Sequence, residues 1–319
     1  MPKNRYICPK ISGMIYNTIL ELVGKTPLLR LQKIAPMGVD VLLKLEGQNP
    51  AGSIKDRVAL QLLADAENRG LLDKDTVIIE CTSGNTGIGL AMCAAVKGYP
   101  LVIIMPDNVS SERPKILRAY GAEVLFTPAS EGMKGCLDFA ETLRTKYKKV
   151  FFPYQFVNPS NPLAHELSTG LEIWQDTAGK VDIVVVGMGT GGSISGIAKA
   201  LKNKNPNIQI IGVEPEESPL LTKGYIGAHK LQGIGMSAGF IPPILAQDLI
   251  DEVVVANHSE AIAMLRLLAQ KEGVFVGVSS GAILHSALQV AERAESQGKT
   301  IVVPMMDGAY RYLSEDIFA

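Results

Sequence analysis

Lys55 carries the most pointed chemistry in the chain. It follows the turn Asn49-Pro50-Ala51-Gly52-Ser53-Ile54 and opens a helical pattern with Asp56 and Arg57. A lysine at a helix start lies near positive backbone dipoles, which are expected to depress its pKa. The neutral amine is the form that attacks a carbonyl, so Schiff-base chemistry is the functional expectation. An exposed lysine beside an acid and an arginine is the plain alternative, and Lys55 alone does not decide between them.

Three other turns supply donors. Cys81-Thr82-Ser83-Gly84-Asn85-Thr86-Gly87 lies between an apolar run and a helical pattern. Three hydroxyls and an amide at a helix start suit a bound carboxylate, whereas a simple cap needs one such residue. Gly187-Met188-Gly189-Thr190-Gly191-Gly192-Ser193 repeats that plan after VDIVVV. Its glycines let an anion approach the backbone, and Thr190 and Ser193 add hydroxyl donors. Gly187, Gly189 and Gly192 also fit GxGxxG, with Glu214 standing 27 residues after Gly187. A dinucleotide site, with that acid on a ribose, therefore competes with a phosphate site at this stage. Gly277-Val278-Ser279-Ser280-Gly281 precedes a further helix and, alone, reads equally as a capping turn.

These turns need strands and helices to aim them. Val77–Glu80, Leu101–Met105, Glu123–Phe126, Val181–Val186, Ile208–Val213 and Thr300–Pro304 read as buried strands. Helical patterns cover 88–96, 112–120, 133–147, 193–201, 259–272 and 282–296. Continuously apolar strands between helices imply parallel sheets covered on both faces. The strands fall into two series separated near Pro153–Pro162, so the expected fold is α/β with two open domains and a ligand cleft between them.

Composition bounds the function. The chain has 319 residues, 47% of them apolar, and a net charge of −1 from 31 basic and 32 acidic side chains. That length suggests about two domains of roughly 150 residues. The even charge balance argues against a nucleic-acid partner, which needs a basic excess. No apolar run approaches the roughly 18 residues of a membrane span. The opening MPKNRYICPKISG has no apolar core of a secretory signal, so it reads as a tail or a misplaced start, and the protein is expected in the cytoplasm. Cys8, Cys81, Cys93 and Cys136 lack CxxC spacing, so no metal site is expected and they read as small buried hydrophobes. His165, His229, His258 and His285 are scattered and read as structural.

Taken together, the chain resembles a known family. NPAGSIKDR (49–57), TSGNTG (82–87), MPDNVSSER (105–113), YQFVNPSNP (154–162), GMGTGGSISG (187–196), VEPEESP (213–219), HKLQGIG (229–235), GVSSGA (277–282) and RYLS (311–314) occur in order over nearly the whole length. They are similar to the cysteine synthases (O-acetylserine sulfhydrylases) among the β-family, fold-type II enzymes of pyridoxal 5'-phosphate (PLP).

The resemblance implies that Lys55 holds PLP as a Schiff base and later takes the substrate's α-proton. Asn85 would bond the ring hydroxyl oxygen, Gly189, Thr190, Gly191, Gly192 and Ser193 the phosphate, and Ser279 the ring nitrogen. Thr82, Ser83, Thr86 and Gln155 would bind the substrate carboxylate. Residues 1–48 and 160–319 would form a larger cofactor-phosphate domain, and 49–159 a smaller mobile one. A serine rather than a carboxylate at the ring nitrogen suits β-elimination over transamination. The implied reaction is O-acetyl-L-serine plus sulfide to L-cysteine plus acetate, through an aminoacrylate, in a homodimer. A glycine turn on a phosphate monoester also removes the dinucleotide alternative.

Three segments depart from the family pattern. Gly235-Met236-Ser237-Ala238-Gly239-Phe240 is two residues longer than the usual GIGAGF segment, with Met236 and Ser237 expected at the site entrance. MPDNVS replaces the usual MPETMS, and Gly308-Ala309-Tyr310-Arg311-Tyr312-Leu313-Ser314 replaces GERYLS, after Met305 and Met306. These changes leave open the second substrate and docking of a serine acetyltransferase tail. Cystathionine β-synthase, sulfide-releasing cysteine lyase and diaminopropionate-forming activities are the alternatives on the same scaffold, and a silent binding paralogue is the alternative of another class.

Overall fold

A computed structural model describes residues 15–236 and 240–318. The chain begins in one sheet, leaves for a second and returns. β1 (Leu28–Arg30) and β2 (Asp40–Leu45) form an antiparallel pair. The excursion runs α1 (Lys55–Asn68), β3 (Val77–Cys81), α2 (Asn85–Lys97), β4 (Leu101–Pro106), α3 (Glu112–Ala119), β5 (Glu123–Thr127), α4 (Gly132–Leu143) and β6 (Val150–Phe151). The return runs α5 (Ser160–Leu167), α6 (Thr169–Asp176), β7 (Ile183–Gly187), α7 (Gly192–Lys202), β8 (Gln209–Pro215), α8 (Leu220–Lys223), β9 (Glu252–Ala256), α9 (His258–Glu272), α10 (Val278–Ala291) and β10 (Thr300–Met305).

The smaller sheet has the order β5-β4-β3-β6 and the larger β1-β2-β10-β7-β8-β9. Every neighbouring pair is parallel except β1 with β2. The apolar strand runs explain this, because a parallel strand is covered on both faces. β3 is buried along its length: Val77, Ile79 and Cys81 pack with Cys136 and Ala140 of α4, and Ile78 packs with α1 and α2. Val184, Val185 and Val186 of β7 are fully buried in the core of the larger sheet. Each such side chain contributes about 1.5–3 kcal/mol relative to an exposed one.

Both sheets reverse their strand order once. From β3 the chain moves outward to β4 and β5, then returns to the other side of β3 as β6. From β7 it moves outward to β8 and β9, then returns to the other side of β7 as β10. A crevice opens beyond the strand C-termini at such a reversal, and ligands bind there in open α/β sheets. The loops at the first crevice carry Thr82–Thr86 and Gln155; those at the second carry Gly189–Ser193 and the segment after Met305.

Candidate active site

One cavity is lined by loops from both crevices. Lys55, Thr82, Ser83, Asn85, Thr86, Gln155, Gly189, Thr190, Gly191, Ser193 and Ser279 all face it, and Gly192 opens α7 directly behind. Lys55 is the one titratable side chain among the described residues of its wall. The turn before it is folded by its own side chains. Asp56 Oδ2 accepts from the Ala51 N–H at 2.6 Å, and Ser53 Oγ accepts from the Lys55 N–H at 3.2 Å. The Lys55 amine has no hydrogen-bond or ion-pair partner among the described residues. Burial lowers its pKa to about 8, because a desolvated ammonium is disfavoured. The lowering has the direction expected from the helix start, and burial supplies a cause for it that the sequence did not show.

The loop after β3 is held from outside itself. Thr86 Oγ1 donates to Gln155 Oε1 at 2.6 Å, which joins the loops following β3 and β6. Arg113 of α3 donates to the Ser83 carbonyl at 2.5 Å and to Gln232 Oε1 at 2.7 Å. Asn85 Nδ2 donates to Asp307 Oδ2 at 2.7 Å, and Arg311 Nη1 donates to Asn85 Oδ1. Inside the loop, the Gly84 N–H donates to Thr82 Oγ1 at 3.1 Å. Gly84, the residue preceding α2, supplies no side-chain cap, which leaves the helix start without the capping bond that would otherwise compete with an anion.

The turn after β7 is held by close packing. Gly191 has φ +83°, a left-handed conformation suited to glycine. A Cβ on Gly192 would lie 2.0 Å from Asn161 Oδ1, so only glycine fits there. Asn161 Nδ2 donates to Thr190 Oγ1 at 3.1 Å and to the Gln155 carbonyl at 2.7 Å. His165 Nε2 meets Ser193 Oγ at 3.1 Å, and its Nδ1 meets Thr169 Oγ1 at 2.9 Å. Burial, then the nearby positive charges of Lys55 and Arg57, push the imidazole well below its ordinary pKa, so it is neutral. His165 supports this turn, a structural role as expected, though its position in the sequence did not show which turn.

Other residues have no local sequence signal. Glu80 is buried within β3, and burial raises its carboxyl pKa to about 8. Asp307, Arg311 and Tyr312 reach the site from beyond β10. Only their spacing within RYLS marked the latter two. Met236 does not line the entrance as expected; it is 2% exposed and packs in the larger core. Its apolar side chain gains more from that core than from solvent. Ser237, Ala238 and Gly239 lie outside the described residues, as does Cys8. Cys81, Cys93 and Cys136 are free and buried.

Residues 19–307 match the family model described as pyridoxal-phosphate dependent enzyme. The chain belongs to this family. A cysteine synthase from Staphylococcus aureus is 44% identical over 305 residues, covering 95% of this chain and 97% of that protein. The structure of a hydrogen sulfide-producing enzyme from Fusobacterium nucleatum is 50% identical with a TM-score of 0.91, covering 93% of this chain and 100% of that one. The cysteine synthase from Entamoeba histolytica is 41% identical with a TM-score of 0.91, covering 100% and 92%.

The cavity fits PLP, the family's cofactor. An unpartnered amine suits its aldehyde, and a glycine-rich helix start with two hydroxyls suits its phosphate. The Ser279 hydroxyl faces the same cavity with no hydrogen-bond partner among the described residues. The family match and the Glu214 carboxylate, which accepts from the Leu221 and Thr222 N–H groups at 3.0 Å each, set the competing dinucleotide expectation aside.

Proposed function

We propose that the protein converts O-acetyl-L-serine and sulfide into L-cysteine and acetate by PLP-dependent β-replacement. The observation that carries this is Lys55, the lone titratable side chain on the described cavity wall, with its amine unpartnered. When bound, PLP withdraws electrons from the substrate's α-carbon, so that the α-proton and the β-leaving group can depart. Lys55 Nζ holds the cofactor and, once freed, accepts and returns that α-proton. Asn85 bonds the ring hydroxyl oxygen, Gly189–Ser193 the phosphate and Ser279 the ring nitrogen. Thr82, Ser83, Thr86 and Gln155 bind the substrate carboxylate, which orients the β-carbon toward the incoming nucleophile. Residues 49–159 move over 1–48 and 160–319 when that carboxylate binds, and so exclude water.

Sulfide release from cysteine is a second reading, favoured by the 50% identity to the sulfide-producing enzyme. Product analysis separates the two. Cysteine and acetate from O-acetylserine with sulfide is the expected result. Sulfide from cysteine alone, with no cysteine from O-acetylserine, would overturn the first reading.

The same reading makes the protein a cytoplasmic homodimer, and no described helix is long and apolar enough to cross a membrane. A solution mass of one chain at micromolar concentration would refute the dimer.

A further inference from the structure

Beyond β10 the segment Met306–Tyr312 touches three of the four turns. The Ile54 N–H donates to the Met306 carbonyl at 2.9 Å, and the Gly308 N–H to the Gly52 carbonyl at 3.2 Å. The Met306 N–H donates to Ser280 Oγ at 2.9 Å. Arg311 Nη2 donates to the Ala51 carbonyl at 2.6 Å. Two glycines in those turns make room for the segment's side chains. A Cβ on Gly277 would lie 2.2 Å from Asp307 Oδ1, and one on Gly52 would lie 2.5 Å from Arg311 Nη2. The Ser/Gly turn at 277–281 is therefore shaped around Asp307, which a capping role does not require.

Asn85 is where this segment reaches the other sheet's loop. A guanidinium can only donate, and a carboxylate can only accept. Arg311 on one side of the Asn85 carboxamide and Asp307 on the other thus admit a single orientation, with Oδ1 toward Arg311 and Nδ2 toward Asp307. Tyr312 donates to the same Asp307 Oδ2 at 2.5 Å and fixes the carboxylate in turn. Asp307 and Tyr312 are each 1% exposed, so neither bond competes with solvent. Nδ2 carries a second hydrogen, and Asn85 lines the cavity. A flipped amide would present a lone pair to the cavity instead of that hydrogen.

We propose that Asp307 and Arg311 are positioning residues that lock the Asn85 carboxamide with an N–H donor facing the cofactor ring. This rests on the assignment of Asn85 to the ring hydroxyl oxygen. It gives the RYLS segment, together with Asp307, a task in the site.

The test is the affinity of the cofactor-free protein for PLP, read by titration of visible absorbance and not by turnover. Asn85→Ala is expected to weaken binding about ten-fold, the scale of one charge-assisted hydrogen bond. Asp307→Ala and Arg311→Met are each expected to weaken it by a similar factor. Asp307→Asn keeps an acceptor for Nδ2 and is expected to stay within about three-fold of wild type. Asp307→Ala added to Asn85→Ala is expected to cost less than the two single factors multiplied, because the group it orients has gone and only its contact with the Gly277 turn is left to lose. If Asn85→Ala leaves affinity unchanged, the assignment of Asn85 to the ring is wrong. If Asn85→Ala weakens binding but Asp307→Ala does not, or if the two factors multiply, the positioning role is wrong. Should Asp307→Ala not fold, Asp307→Leu in the two backgrounds gives the same comparison. In the cofactor-free wild type, one Asn85 side-chain hydrogen is expected to exchange slowly and the other fast in nuclear magnetic resonance. Equal exchange would also overturn the lock.

Discussion

The two donor turns, Thr82–Thr86 and Gly189–Ser193, share a plan and differ in what holds them. Each follows a buried parallel strand, opens a helix and points donors into the same cavity. The turn after β7 is fixed by close packing of Asn161 against Gly192, to which hydrogen bonds from Asn161 to Thr190 and between His165 and Ser193 are added. The turn after β3 hangs on side chains that arrive from Gln155, Arg113, Asp307 and Arg311. Packing tolerates little displacement, whereas a few hydrogen bonds can be remade as parts shift. A rigid turn suits a resident phosphate, and an adjustable one suits a carboxylate that comes and goes.

Lys55→Ala is the reference against which both turns are read. It leaves each turn intact and removes the only titratable group on the described wall. Activity is expected to fall by a factor of about a thousand or more, with loss of the lysine-linked absorbance and of borohydride-reducible cofactor. Retained covalent cofactor in this variant would move the attachment point elsewhere.

Gly192→Ala and Gly84→Ala break the comparison most directly. The first places a Cβ 2.0 Å from Asn161 Oδ1, while the second meets nothing nearer than Thr82 Oγ1 at 3.7 Å. Gly84 has φ −110°, open to any residue. Overpacking should cost Gly192→Ala about 1–3 kcal/mol of stability and, through the displaced turn, about a hundred-fold in PLP affinity. Gly84→Ala should stay within about 0.5 kcal/mol of wild type. Thermal melts and PLP titrations decide, and equal losses at both positions would erase the distinction.

Thr86→Val sharpens the other side. It removes the donor to Gln155 Oε1, which is buried and would be left unpaired. An orphaned buried acceptor costs about 1–3 kcal/mol, and part of that should appear as a KM for O-acetylserine raised about ten-fold. PLP affinity should not move. A matching loss of cofactor would mean that the two turns are one unit.

The same contrast explains what the sequence made legible. The glycine turn is written in consecutive residues after a run of valines, so its constraint is local and readable. β3, β4, β5, β7, β8 and β10 were visible for the same reason, within one or two residues at their ends. β2 was not, because Lys44 interrupts its apolar run. That lysine is buried and paired with Glu172 at 2.8 Å and Asp176 at 3.2 Å, partners more than a hundred residues away. β1, β6 and β9 were missed as well, the first two for having only three and two residues. Asp307, Arg311 and His165 act on turns far from them in sequence, and no local pattern announces such partners. The Lys55 amine is legible from its turn, but its burial is not, since burial appears only after folding.

The smallest expected effect separates burial from dipole at Lys55. Burial lowers its pKa from 10.5 to about 8, so the folded protein gives up that proton at a lower pH than the unfolded chain. PLP capture by the cofactor-free protein needs that neutral form. The capture rate should rise about ten-fold per pH unit below 8 and level off above it. The sign for stability follows from proton counting. Between about pH 8 and 10.5 the unfolded lysine holds a proton that the folded one does not, so the cofactor-free protein should gain stability across that window as pH rises. Below pH 8 both states are protonated, and the cost of burying the charge is fully present. Lys55→Met removes the titration and should flatten this part of the stability profile. Adding salt separates the causes, because burial is insensitive to ionic strength while an exposed helix-start dipole is screened. A capture midpoint that stays near pH 8 from low to high salt supports burial. A midpoint that climbs toward 10.5 as salt is added would return the credit to the helix start.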